Sequence, residues 1–159
     1  MASMIKKIVG LEGVANCGKT HVLRAMVNKL VSTGAKIVEI FCYDGMKLTD
    51  MGMPTEGDFV KFLRVNNKIV VVSTGGDYLN VPIVVGNIIN AVTLTWILFF
   101  AAMRMGCPNV SGAYANFAEK EGVVHFDTIY LPRFRPNIDS VEKQYSGQAL
   151  WVDRLISLI

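Results

Sequence analysis

Apolar and polar positions alternate between two rhythms along this chain, and the changes of rhythm mark its elements. Ile5 to Gly13, "IKKIVGLEG", is short, rich in Ile and Val and ended by glycine, which predicts a buried strand. Val22, Leu23, Met26, Val27, Leu30 and Val31 then recur at helical spacing and form one stripe, with Arg24, Asn28 and Lys29 on the other face. Gly34 is the natural stop, because glycine adopts the positive φ that closes a helix. "AKIVEIFCYDG" reads as a second buried strand ending at Asp44-Gly45. Met46 to Asp58 has no clean period and reads as a loop.

Two β-rich runs flank Asn66-Asn67 in "FVKFLRVNNKIVVVSTGGD". Asparagine tolerates positive φ, so the pair predicts a two-residue hairpin turn. A short helix over Asp58–Val65 competes, since Phe59, Phe62 and Leu63 also fit one helical face. Tyr78 to Met103 carries no charge. Its length would cross a bilayer, but Asn80, Pro82, Gly86, Asn87, Asn90, Thr93 and Thr95 interrupt it. The preferred reading is a helix over 83–103, buried on most of its circumference or meeting a second copy through an apolar face. "NVSGAYA" reads as a weak strand, "NFAEKEG" as a short helix or turn closed by Gly122, and Val123–Leu131 as a strand. Asp139 and Glu142 have capping-box spacing for a last helix with Val141, Tyr145, Trp151, Val152, Leu155 and Ile156 on its apolar faces. Strands alternating with helices imply an α/β fold: a mostly parallel sheet flanked by helices on both faces, with one antiparallel hairpin.

Composition narrows the class. A chain of 159 residues makes a single domain that buries roughly two-thirds of its unfolded surface. Hydrophobic residues at 52% and charged residues at 18% exclude disorder by composition. Net charge is +3 with Lys and Arg scattered, which argues against a dedicated nucleic-acid binder. Cys17, Cys42 and Cys107 form no CxxC pair, which suits reduced thiols in the cytoplasm. The opening "MASMIKK" gives way to a strand too quickly for a signal peptide. His21 falls on the first helical turn, facing solvent or a neighbouring loop. His125 lies in a strand and reads as structural.

The chemistry concentrates between the first strand and the first helix. Gly13, Val14, Ala15, Asn16, Cys17, Gly18, Lys19 and Thr20 fit G-x-x-x-x-G-K-T in full. A phosphate chain needs many donors at close range, and a loop folded around it offers backbone N–H groups. Gly13 and Gly18 sit where a side chain would block that approach. The helix start adds unpaired N–H groups and the positive end of its dipole, with His21 on the same turn. Lys19 brings a mobile cation to the β- and γ-phosphates, and the Thr20 hydroxyl suits Mg²⁺, a hard ion that prefers oxygen. Cys17 is a small filler in this loop.

This octapeptide, between a buried strand and an amphipathic helix, resembles the Walker A loop of P-loop NTPases. The resemblance implies a nucleotide held by residues 13–21 and Mg²⁺ held with help from an acid at a neighbouring strand end. Asp77, after "IVVVSTGG", and Asp44, after "IVEIFCY", are the candidates. Because Thr74, Gly75 and Gly76 intervene before Asp77, Ser73 or Thr74 competes for the metal-facing role. Arg133 and Arg135 in "LPRFRP" are candidates to stabilise charge developing on the γ-phosphate, against plain surface arginine. "NNKIV" lacks the acid of the guanine-selective NKxD element, so ATP is expected in preference to GTP. Three classes follow: a phosphotransferase of nucleotide- or small-molecule-kinase type, an ATP-hydrolysing switch acting on a protein partner, and a non-catalytic nucleotide-binding module. Met46–Asp58 would be the lid or acceptor loop of a kinase, although Lys47 is its only cation.

Overall fold

The computed structural model describes residues 5–13, 19–37, 59–74, 80–92, 95–104, 106–131 and 141–159. The elements are β1 (Lys7–Gly13), α1 (Lys19–Ser32), β2 (Lys36–Ile37), β3 (Val60–Val65), β4 (Lys68–Ser73), α2 (Asn80–Val92), β5 (Leu98–Arg104), α3 (Pro108–Glu121), β6 (His125–Tyr130) and α4 (Val141–Ile156). They form a six-stranded sheet in the order β2-β3-β4-β5-β1-β6. β1 runs parallel to β5 and β6, and β4 runs parallel to β5. Only β3 is reversed, through the β3–β4 hairpin and its antiparallel pairing with β2.

The hairpin turns where the sequence places it. Asn66 and Asn67 have φ of 50° and 64°, and the positive pair matches the twist of the flanking strands. Beyond the strands, Thr74 N–H donates to the Phe59 carbonyl at 3.0 Å and its hydroxyl accepts from Phe59 N–H at 2.7 Å.

Strand alternation sorts the core into two layers. Ile8, Ile69, Val71, Phe99, Ala101 and Met103 face α2 and α3, whose Val81, Val85, Ile89, Val110, Tyr114 and Phe117 pack on them. Val9, Leu11, Val70, Val72, Phe100 and Ala102 face α1 and α4, which contribute Val22, Leu23, Met26, Val27, Leu30, Val152 and Leu155. The apolar stripe expected for α1 is this buried set, while Val31 at its end is exposed. Gly34, with φ of 113°, follows the helix. Gly10 sits in β1 because its neighbours close in: a Cβ there would lie 2.8 Å from Met103 Sδ.

Two expectations are overturned. The uncharged stretch is not one helix over 83–103: α2 ends at Val92, and 98–104 is the central strand β5. A strand buried on both faces is apolar at every position, so it loses the alternation that would distinguish it from a helix. Among the described side chains of the segment, Val81, Val85, Ile89 and the residues of β5 up to Met103 are core, and Ile83 is the large hydrophobic left exposed. Among the described residues, no helix is long and apolar enough to cross a membrane. Likewise "NVSGAYA" is not a strand; it belongs to α3, which runs from Pro108 to Glu121. Pro108 suits the first turn, and the Cys107 carbonyl accepts from Val110 and Ser111. Gly122 closes the helix as expected, at φ 68° and ψ 37°, donating to Ala118 and Glu119. Residues 38–58 and the cap at Asp139 lie outside the described residues, as do the side chains of Val141 and Tyr145.

Candidate phosphate site at the carboxyl edge

β1 ends at Gly13 and α1 begins at Lys19, so the octapeptide lies at the carboxyl edge of a parallel sheet, between strand and helix. Ligands of open α/β sheets bind outside this edge. Val14, Ala15, Asn16, Cys17 and Gly18 lie outside the described residues, and the site is defined by its two ends. Gly13 is buried, while Lys19 and Thr20 are half-buried on the first turn of α1. Lys19 Nζ donates to the Gly13 carbonyl at 2.7 Å, spanning the motif from its last residues to its first. That bond holds the ammonium against the carboxyl end of β1. The first turn of α1 carries no acid, so the helix dipole there is not neutralised by its own side chains. His21 is exposed on that turn.

The sheet order sets which residues share this edge. β5, not β4, is hydrogen-bonded to β1 on the hairpin side. The strand leading to Asp77 is therefore not β1's neighbour, as the sequence suggested, but one further strand away, about 10 Å from β1. Ser73, the last residue of β4, is level with Ala101, which is level with Gly10. It thus stops three residues short of Gly13. Ser73 and Thr74 are buried, and their hydroxyls have protein partners: Ser73 Oγ lies 3.3 Å from Tyr114 Oη, and Thr74 Oγ1 holds the Phe59 amide. Burial lifts the Tyr114 phenol well above its ordinary range, offset slightly by Ser73, so it stays neutral.

On the other side, β6 brings the chain to the same edge. Tyr130 is level with Glu12, and Leu131 N–H donates to the Glu12 carbonyl at 2.8 Å. Arg133 and Arg135 follow two and four residues later, outside the described residues. Asp44 and Asp77 also lie outside them. Of the oxygen donors expected for Mg²⁺ on the loop itself, Thr20 is described, half-buried beside Lys19 on the first turn of α1. Among the described residues, no group of three His, Cys, Asp or Glu side chains could hold a metal.

One residue of this edge escaped the sequence reading. Arg104, exposed at the end of β5, is level with Gly13. Phe100 and Ala102 face α1, so alternation places Arg104 on α1's side of the sheet. It ended a segment that reads as helix, and only the strand order reveals it. The cleft of about 420 Å³ between α2 and α3, bordered by Ile83, Asn87, Asn116 and Lys120, lies on the opposite face of the sheet from α1. Comparison with known proteins adds no assignment: the chain matches no family model, no curated protein and no solved structure.

Proposed function

We propose that this chain binds ATP through residues 13–21 as a P-loop NTPase and, with Mg²⁺, transfers the γ-phosphoryl group to a small-molecule acceptor. The observation that carries the reading is the 2.7 Å bond from Lys19 Nζ to the Gly13 carbonyl, made between the end of a buried parallel strand and the start of a helix. The contact supports the reading because it keeps a cation at the carboxyl end of β1, where ligands of α/β sheets bind. In this reading Lys19 and the α1 N-terminus neutralise the phosphates, and Arg104 adds a second cation on the same side. Bound Mg²⁺, held by Thr20 with Asp77 or Asp44, would draw charge from the β- and γ-oxygens. The protein's own work is positional: it fixes the γ-phosphorus in line with an acceptor hydroxyl, so that the bond to the bridging oxygen breaks as the new P–O bond forms. Arg133 and Arg135 follow the strand that ends beside the loop and are the further candidates for that charge. Three cysteines without a CxxC pair support a reducing, cytoplasmic compartment for this activity.

Calorimetry with Mg-ATP tests the site. Lys19→Ala weakens binding about 10–100-fold, the worth of a charge-assisted contact, with little change in melting temperature. Equal binding by the two proteins refutes the phosphate-loop assignment. ADP formation across a panel of nucleosides, nucleotides and hydroxyl metabolites then tests the transfer. Turnover that depends on one acceptor supports the kinase reading, whereas turnover stimulated only by a protein partner would assign a switch.

A further inference from the structure

We propose that β6 is a dimerisation edge, on which a second copy of this chain pairs its own β6 antiparallel about Thr128. β6 is the terminal strand of the sheet, and among the described residues no strand lies beyond it. Its alternation is unusual for this molecule. Phe126, Thr128 and Tyr130 oppose Ile8, Gly10 and Glu12 on the face that carries α2 and α3. Yet those helices reach only as far as β1, and no residue of β6 joins their core cluster. Val124, Phe126 and Tyr130 are left 62%, 37% and 60% exposed. Apolar side chains beside an open ladder form the kind of edge that proteins ordinarily blunt with charge, proline or a covering element.

The strand's own side chains favour a second copy as the occupant. A two-fold axis perpendicular to the sheet pairs the same edge with itself and keeps like faces together, so every contact occurs twice. Centring the pair on Thr128 sets Phe126 of each copy opposite Tyr130 of the other, two aromatic cross-strand pairs. Asp127 then opposes Ile129. Centring on Asp127 would place two carboxylates face to face, centring on Ile129 would separate the aromatic residues from each other, and centring on Phe126 would leave one aromatic pair in place of two. The one acid of the strand is also already neutralised, since Asp127 Oδ2 lies 2.9 Å from Lys7 Nζ. The resulting sheet is continuous through both protomers and leaves each phosphate loop on its carboxyl edge.

Sedimentation velocity over a concentration series, joined to cysteine cross-linking, tests the pairing. The wild type shifts from monomer to dimer as concentration rises. The double variant F126K/Y130K stays monomeric while keeping its far-UV circular dichroism, and Y130K alone, at a side chain 60% exposed, weakens dimerisation with its melting temperature unchanged. Under mild oxidation T128C gives a covalent dimer well above the wild-type background, whereas V124C, whose two copies lie eight residues apart in this register, does not. Three results overturn the proposal: a wild type that stays monomeric throughout, a lysine variant that dimerises unchanged, or V124C linking as readily as T128C. A monomer whose β6 amides nonetheless resist hydrogen exchange would mean that the chain covers this edge itself, and overturns it too.

Discussion

The two faces of the sheet are built from different chemistry. The α1–α4 face is almost wholly aliphatic, with Val9, Leu11, Leu23, Val70, Val72 and Leu155 meeting side chains of similar shape. The α2–α3 face is aromatic. Phe99 meets Trp96, Tyr114 and Phe117 edge-on, with ring centroids 6.2, 5.8 and 5.6 Å apart, and Trp96 stacks on Phe117. It also holds the buried polar pair Ser73–Tyr114, and Trp96 Nε1 donates to Glu121 Oε1 at 3.0 Å. Aliphatic packing is non-directional, and volume-conserving changes are tolerated. Ring packing and buried hydrogen bonds fix geometry. The face that carries α1 is thus the forgiving one, and the opposite face locks β4 and β5 in place. Adjacent residues of β5 break the comparison if it is mistaken. Phe99→Leu should cost about 2 kcal/mol more than Phe100→Leu, because it forfeits three edge contacts, each worth about 0.5–1.5 kcal/mol and not fully additive. Urea denaturation measures both, and losses that agree within error would show that the rings contribute no more than their bulk.

A smaller effect sharpens the same contrast. Tyr114→Phe keeps the ring and strands the Ser73 hydroxyl in a buried site, which costs about 1–2 kcal/mol. Adding Ser73→Ala removes the orphaned group and recovers part of that loss. Because Ser73 stops level with Gly10, Mg-ATP binding should be untouched in both variants. A Tyr114→Phe protein that loses nucleotide affinity along with stability would couple the aromatic face to the loop.

The faces also differ in how far the sequence disclosed them. On the α1 side, the stripe from Val22 to Leu30 and the octapeptide before it are local patterns, and Lys19 meets Gly13 within six residues of chain. The hairpin was local too, carried by Asn66-Asn67. On the α2–α3 side the signals were non-local or degenerate. "WILFFAAM" is apolar at every position because β5 is covered on both faces, so periodicity could not separate strand from helix. In α3 the spacing of Val110, Tyr114 and Phe117 is helical, and Pro108 marks a first turn, but Ser111 and Gly112 diluted the pattern. The candidate site was legible only where one stretch of chain contains it. Arg104 joins Gly13 solely because β5 pairs with β1, and the separation of Asp77's strand from β1 follows from the same insertion.

The smallest effect lies where the aliphatic face runs out. At β6 that face carries Asp127, exposed and bonded to Lys7 of β1. The hydrogen bond and charge of Lys7, with a lesser contribution from His125, hold the Asp127 carboxyl below its ordinary range. A carboxyl depressed in the folded state contributes stability above the pKa it has in the unfolded chain, and that contribution is lost as pH falls through its folded value. Asp127→Asn should therefore lower the melting temperature slightly near neutral pH and converge with wild type in acid below the carboxylate range. Because the pair is screened by water and salt, raising ionic strength at neutral pH should shrink the difference as well. A difference that persists unchanged in both acid and high salt would mean that the asparagine perturbs the strand itself, and the edge of the aliphatic face would then depend on packing rather than charge.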